Sequence, residues 1–231
     1  MRVTIHQPNY FPYPGLFHKL YLSDVFVILD DVQFQFDITN RNKIITKDGT
    51  WERIVVPVKK NQTHKKIKDV EINNEVLWSE NTYNKLFESY STANFFHLYS
   101  DYFKDLFKKR WELLFELNFH TLEKMIEFLG IKIEILRESE LDVNGESTER
   151  LVNICETLNA DTYVSGIGGK NYLNEKLFDD KNVKLEYQNY RHIPYQQIHS
   201  KDFIPDLSII DLISNLGEQS LDLIKKSREN I

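Results

Sequence analysis

A short apolar run, Val3-Thr4-Ile5, halts at His6-Gln7 and gives way to Pro8-Asn9-Tyr10-Phe11-Pro12-Tyr13-Pro14-Gly15. The run suits a first strand, and the prolines behind it fix φ and stiffen the loop, while Gly15 tolerates backbone conformations that other residues avoid. Leu16 to Ser23 then carries apolar residues at helical spacing, and Asp24-Val25-Phe26-Val27-Ile28-Leu29 is nearly continuous in apolar side chains. Such a run marks a parallel strand covered on both faces. The three segments make a strand-helix-strand unit. Open parallel sheets bind ligands outside the carboxyl ends of their strands, so the loop holding His6 and Gln7 is the first place to expect a site.

Downstream, Arg53 to Val58 reads as a strand, with Pro57 marking an edge or an end. Ile67 to Ile72, with alternating apolar residues, reads as another, and the polar Lys59 to Lys66 stretch between them reads as a long, mobile loop. From Trp78 to Leu129 the pattern is helical and Gly130 is its stop. Then come a strand (Ile131 to Leu136), a helix opening at Ser147-Thr148-Glu149-Arg150, and a strand (Thr162 to Val164) leading into Ser165-Gly166-Ile167-Gly168-Gly169. A helix (Asn171 to Phe178), a strand (Val183 to Tyr187) and two C-terminal helices (Leu207 to Leu216, Ser220 to Ile224) complete the chain. This order predicts an α/β fold: a doubly wound, mostly parallel, Rossmann-like sheet with a small β insertion and a helical block at about 78–130, in one domain spanning 1–231.

Composition removes several classes of function. Apolar residues make up 41% and charged residues 28%, without long charged blocks, which argues against disorder. The net charge of −6 speaks against binding a nucleic-acid backbone. No apolar stretch approaches the length of a membrane span, so no membrane insertion is expected. The single cysteine, Cys155, falls in a helical pattern and reads as a buried thiol, in keeping with a cytoplasmic protein. The seven histidines are scattered and no metal-ligand spacing is present, so no metal is expected.

The residues able to carry chemistry fall into five groups. His6 is a candidate general base, and His18, one short helix further, either faces the same crevice or solvates a helix face. Asp30-Asp31-Val32-Gln33 follows the second strand, with Asp31 the alternative base and Asp30 and Gln33 candidate ligands, or an Asx turn. Asn40 and Arg41 add an amide and an anion-binding fork. The loop of Ser165, Gly166, Gly168 and Gly169 offers backbone N–H groups at a helix start to a phosphate or an oxyanion, with Tyr172 beyond it. Tyr195 and Gln196 are placed to close the crevice, and Asp211 sits on an apolar helix.

Taken together, His6-Gln7-Pro8-Asn9-Tyr10-Phe11-Pro12, Asp24 to Val27, Asp30 to Phe34, Asn40-Arg41-Asn42, Tyr163 to Tyr172 and Leu207 to Asp211 with Gly217 resemble the WbqC-like family. The resemblance covers essentially the whole length. It departs at Tyr13, where the family often has Trp. Genes of that family commonly lie in bacterial O-antigen and capsule clusters, which implies modification of surface-polysaccharide sugars, without residue roles. The expected activity is that of a transferase or ligase attaching an acyl or aminoacyl group to the amine of a nucleotide-linked amino sugar. His6 or Asp31 would be the base, and the Gly166 to Gly169 amides or Arg41 would stabilise negative charge. Gln7, Tyr10, Gln33 and Asn40 would orient the sugar. The acyl donor arrives activated or is activated with ATP. The rival expectation is a non-catalytic module that binds a sugar nucleotide or glycan precursor.

Overall fold

A computed structural model describes residues 1–227, and the last four positions of the expected domain lie outside them. The opening unit forms as its pattern dictates: β1 (Arg2–His6), α1 (Pro14–Tyr21) and β2 (Val25–Ile28). Pro14 occupies the first turn of α1, where its missing N–H costs nothing. A hairpin follows, β3 (Arg41–Ile45) and β4 (Trp51–Val55), closed by a turn in which Gly49 has φ 78°. The helical block consists of α2 (Trp78–Tyr90), α3 (Ser100–Lys108) and α4 (Leu114–Leu129). Gly130 ends α4 in the left-handed conformation, φ 67°. The chain then alternates through β5 (Glu134–Arg137), α5 (Ser147–Thr157), β6 (Thr162–Ser165), α6 (Glu175–Asp180) and β7 (Lys184–Tyr187). It finishes with α7 (Ile209–Leu216), whose N-terminal N–H of Ile210 is capped by the Ser208 hydroxyl at 3.2 Å, and α8 (Ser220–Lys226).

β5, β2, β1, β6 and β7 pair in that order, all in parallel. Counted by appearance in the sheet, the order is 3-2-1-4-5, the doubly wound arrangement. The period-2 alternation of each strand feeds two separate cores. Phe26 and Ile28 of β2 join Leu16, Phe17 and Leu20 of α1 and the helical block on one face. Val25 and Val27, with Val3 and Ile5 of β1, face Leu151, Val152, Ile154 and Cys155 of α5 and Phe178 of α6 on the other. Cys155 is thus a buried packing thiol, with burial pushing it up to about 12. No helix among the described residues is long and apolar enough to cross a membrane.

The structure corrects four local expectations. Ile67 to Ile72 is not a strand: a 3-10 turn spans Ile67–Asp69, and the segment keeps only single-residue bridges, Val58 to Ile72 and Glu71 to Leu113. Ile67, Val70 and Ile72 are all buried, but their backbone groups bond to separate loops, for example Ile67 N–H to the Val32 carbonyl and Leu114 N–H to the Val70 carbonyl. Lys59 to Lys66 is tied down, with Lys59 and Lys65 both on the Glu71 carboxylate at 2.7 Å and Gln62 buried. The helical block breaks between α3 and α4, where the Trp111 indole N–H turns back to the Leu106 carbonyl at 3.0 Å. The helix expected over Asn171 to Phe178 begins later, at Glu175, because 167–171 form a 3-10 turn.

Gly217, between α7 and the 3-10 turn before α8, has φ 54° and ψ −128°, and a Cβ there would lie 2.5 Å from the Phe95 ring. Gly217→Ala combines a strained backbone with a clash against packed aromatic surface. Loss of about 1–3 kcal/mol is expected, read as a lower midpoint in urea denaturation; an unchanged midpoint would contradict the packing described here.

Candidate functional site

The strand order reverses at β1. β2 lies on one side of it and β6 on the other, so the carboxyl ends of β1 and β6 border the switch point of the sheet, where connections diverge and leave a crevice. A cavity of about 410 Å³ opens there, lined by His6, Gln7, Ser147, Arg150, Tyr163 and Tyr172 over an apolar floor that includes Ile5 and Leu151. A second cavity of about 330 Å³ shares His6 and Ile38 with the first and continues to Asn9, Tyr13, Lys43 and Asp206. The two adjoin at His6 and Ile38, which line both, as a larger and a smaller lobe.

The state of His6 follows from its neighbours. Its Nδ1 lies 2.9 Å from the Gln7 carbonyl. A carbonyl only accepts, so Nδ1 carries the proton and the neutral ring keeps its lone pair on Nε2. Burial first, and the Lys19 charge second, lower the imidazole from 6.5 to about 3, against the opposing Gln7 hydrogen bond. Lys19, on the buried face of α1, is itself only 3% exposed and donates through Nζ to the Ile5 carbonyl at 3.2 Å. Burial brings its ammonium down to about 7. At neutral pH His6 is therefore an uncharged acceptor.

Arg150 lines the larger lobe as one half of an ion pair. Its Nε donates to the Gly145 carbonyl at 2.8 Å and its Nη1 to Glu138 at 2.5 Å, joining α5 to the turn after β5. Burial raises the Glu138 carboxyl, against the pull of Arg150. Ser147, first residue of α5, has φ 51°, a conformation costly for a residue with a Cβ and characteristic of functional sites. The α5 N-terminus thus lines the larger lobe with Ser147, Arg150 and Leu151.

The structure brings together His6, Gln7 and Tyr172 from the residues singled out by sequence. It sends the others elsewhere. The Asp31 carboxylate turns to Lys66 at 2.6 Å and Lys68 at 2.5 Å; partial burial resists ionisation, but the two lysines outweigh it and hold the carboxyl below its ordinary range. Both its oxygens are taken by lysines, and Asp31 does not line the cleft. Asp30 is buried and accepts from the Ser139 N–H at 2.9 Å and hydroxyl at 2.6 Å, fixing the turn after β5. Gln33 donates to the Thr63 carbonyl at 2.7 Å, Asn40 to the Val56 carbonyl at 3.0 Å, and Arg41 to the Phe36 carbonyl. These are loop fasteners. Tyr10 is a core ring against Phe11, centroids 4.8 Å apart. His18 is buried and lines a different cavity of about 190 Å³ beside Gln188. Tyr195 donates to the buried Asp211 carboxylate at 2.6 Å, and Gln196 bonds the Gln197 and Ser200 carbonyls, so neither closes the cleft.

The glycine loop is a packing turn. Ser165 Oγ donates to its neighbour's carbonyl, and Gly169 N–H bonds the Gly166 carbonyl within the 3-10 turn. A Cβ on Gly166 or Gly168 would meet nothing, whereas one on Gly169 would lie 2.3 Å from Ser165 Oγ. The loop contributes only Tyr172 to the cavity wall. Lys19, Lys43, Ser147, Arg150 and Asp206 belong to the site or its support without having been singled out as candidates from the sequence. For Ser147 and Arg150 a signal existed, because a helix that precedes β6 and follows β5 starts at the carboxyl edge of the sheet. Among the described residues, no three His, Cys, Asp or Glu side chains are grouped to hold a metal ion.

Comparison with known proteins returns a match to the WbqC-like protein family over residues 7–223. The chain is also 32% identical over 235 residues to the uncharacterized protein Rv1507c of Mycobacterium tuberculosis, covering 99% of both chains. No solved structure matches it.

Two outcomes test this site. Lys19→Met removes the buried charge, so the His6 titration followed by NMR should move upward while staying below 6.5, burial being the larger cause. Because the folded pKa lies below the unfolded one, the stability from neutral His6 is complete above 6.5 and is lost as pH falls toward 3; His6→Asn should flatten that part of the stability profile relative to the wild type. A His6 that titrates near 6.5 in the wild type would contradict the assignment. For the glycine loop, Gly168→Ala should leave the urea midpoint unchanged within error, and Gly169→Ala should lower it; equal effects would restore a special role to the whole loop.

Proposed function

Because this chain belongs to the WbqC-like protein family, we propose that it is a transferase that acylates or aminoacylates the amine of a nucleotide-linked amino sugar in the building of a bacterial surface polysaccharide. The reading rests on one observation: an imidazole protonated on Nδ1, with Nε2 left as an acceptor, lines both lobes of a largely apolar cleft. Amide formation needs that arrangement, with a nucleophile on one side of a base and an acyl group on the other.

In the proposed step the amine nitrogen attacks the carbonyl carbon of an activated acyl donor such as a thioester. A C–N bond forms and the carbonyl oxygen takes the negative charge. The attacking nitrogen becomes cationic and far more acidic than the free ammonium, so even a weakly basic imidazole removes its proton. His6 Nε2 accepts that proton and returns it to the leaving group as the C–S bond breaks. Arg150, Ser147 and the Gln7 amide supply positive potential and hydrogen-bond donors for the oxyanion, the part first assigned to Arg41 or the glycine amides.

The test is to incubate the protein with nucleotide-linked 4-amino hexoses and acyl thioesters, with and without ATP, and to follow the mass of the sugar nucleotide. A gain of one acyl group is expected, and His6→Gln should lower kcat by roughly 10²–10⁴-fold. A requirement for ATP would make the protein a ligase acting on the free acid. Binding without mass gain across donors would identify a non-catalytic sugar-nucleotide binder.

A further inference from the structure

The outer face of the β3–β4 hairpin carries a charge pattern that the fold leaves unbalanced. Side chains alternate along a strand, so Arg41, Lys43 and Ile45 of β3 share a face with Trp51, Arg53 and Val55 of β4. Lys43 stands directly opposite Arg53 in the register. Like charges so placed repel and destabilise a strand pair. The ring contacts agree: the Lys43 ammonium lies 4.8 Å, and the Arg53 guanidinium 5.3 Å, from the centroid of the same Trp51 ring. Arg41 adds a third positive charge, with its Nη2 on the Phe36 carbonyl.

The nearby carboxylates are turned elsewhere. Neither strand places one on this face. Glu52 lies on the opposite face and pairs with Lys85, and Asp48, in the turn, accepts from the Thr46 and Thr50 hydroxyls. Asp206, which lines the smaller lobe together with Lys43, directs Oδ1 to His192 at 2.8 Å. Among the described residues neither Lys43 nor Arg53 has an ion-pair partner. A chain of net charge −6 thus keeps three cations and no carboxylate on one hairpin face. Trp51 remains 42% exposed, so the cluster is open to a solute.

Position says what the face serves. Lys43 also lines the 330 Å³ lobe that His6 borders, so an anion held by Lys43 and Arg53 adjoins whatever occupies that lobe. A diphosphate can meet both cations at once, and an ammonium beside a guanidinium fork suits phosphate oxygens. We propose that Lys43 and Arg53 hold a diphosphate on this face and so position the group attached to it in the smaller lobe beside His6. Two ligands carry such a group, the nucleotide-linked sugar and a coenzyme A thioester donor; their relevance rests on the transferase reading above, whereas the anion site rests on the hairpin.

Isothermal titration calorimetry of the full chain with inorganic pyrophosphate, a UDP-hexose, coenzyme A and uridine tests the assignment. Pyrophosphate and one of the two larger diphosphates should bind, and more weakly as salt is added. Lys43→Glu and Arg53→Met should each weaken that binding roughly tenfold, with uridine insensitive to either. Lys43→Glu replaces a like-charge cross-strand pair by an opposite one, so its urea midpoint should hold or rise, and its loss of binding is then no folding defect. Binding of the UDP-hexose gives the site to the sugar nucleotide, and binding of coenzyme A gives it to the donor. Pyrophosphate that fails to bind, or binds both variants as it binds the wild type, overturns the proposal. So does Lys43-dependent attachment to phosphatidylglycerol vesicles without binding of any diphosphate. The two proposals separate cleanly: acyl transfer with the KM of both substrates unchanged in the variants defeats the diphosphate site alone, and variant-sensitive binding without transfer defeats the transferase alone.

Discussion

Everything at the site depends on β1 being the strand on which the sheet turns. It is hydrogen bonded on both sides, to β2 and β6, and the chain winds outward from it in both directions. Its alternation sends Val3 and Ile5 into one core and Thr4 to the other face, where the Thr4 hydroxyl bonds the Val164 carbonyl at 2.9 Å. Beneath its carboxyl end the buried Lys19 ammonium holds the Ile5 carbonyl. His6 cannot move from the reversal point without disrupting this pairing.

The loop after β1 is held as firmly. Phe11 takes φ 45° while wholly buried, an unfavourable conformation for a residue with a side chain. Asn42, from β3, donates to the Tyr10 and Phe11 carbonyls at 3.2 and 2.7 Å, and the Phe11 ring packs edge-on against Phe103 at 5.9 Å. The hairpin and the helical block therefore act as a clamp on the loop that brings Asn9 and Tyr13 into the cavity wall they share with His6. A fold with only the parallel sheet would lack the smaller lobe.

Much of the architecture was legible because the core pattern is strong: the continuous apolar run of β2, the helical spacing of the block ending at Gly130, and the strand at Thr162. The position of His6 followed from strand end and switch-point logic alone. The rest was hidden for physical reasons. Asp30, Asp31, Gln33, Asn40 and Arg41 look like site residues because loops that cross the carboxyl edge need many hydrogen bonds, and polar side chains supply them. In sequence, a fastener such as Arg41 on the Phe36 carbonyl is indistinguishable from an anion fork. The glycines after β6 look like an anion cradle, yet only Gly169 is required, by its approach to Ser165. Conversely Arg150 carries no motif of its own, and its place in the cleft comes from an element far from His6 in the chain.

The central claim is that a neutral imidazole, protonated on Nδ1, faces the cleft with a free lone pair. Long-range ¹H–¹⁵N NMR of His6 at pH 7, with and without a nucleotide-linked amino hexose, measures this directly. The account requires the Nδ1–H tautomer in the free protein and a change at Nε2 when the sugar binds. An imidazolium, the opposite tautomer, or a ring indifferent to a bound sugar would contradict it.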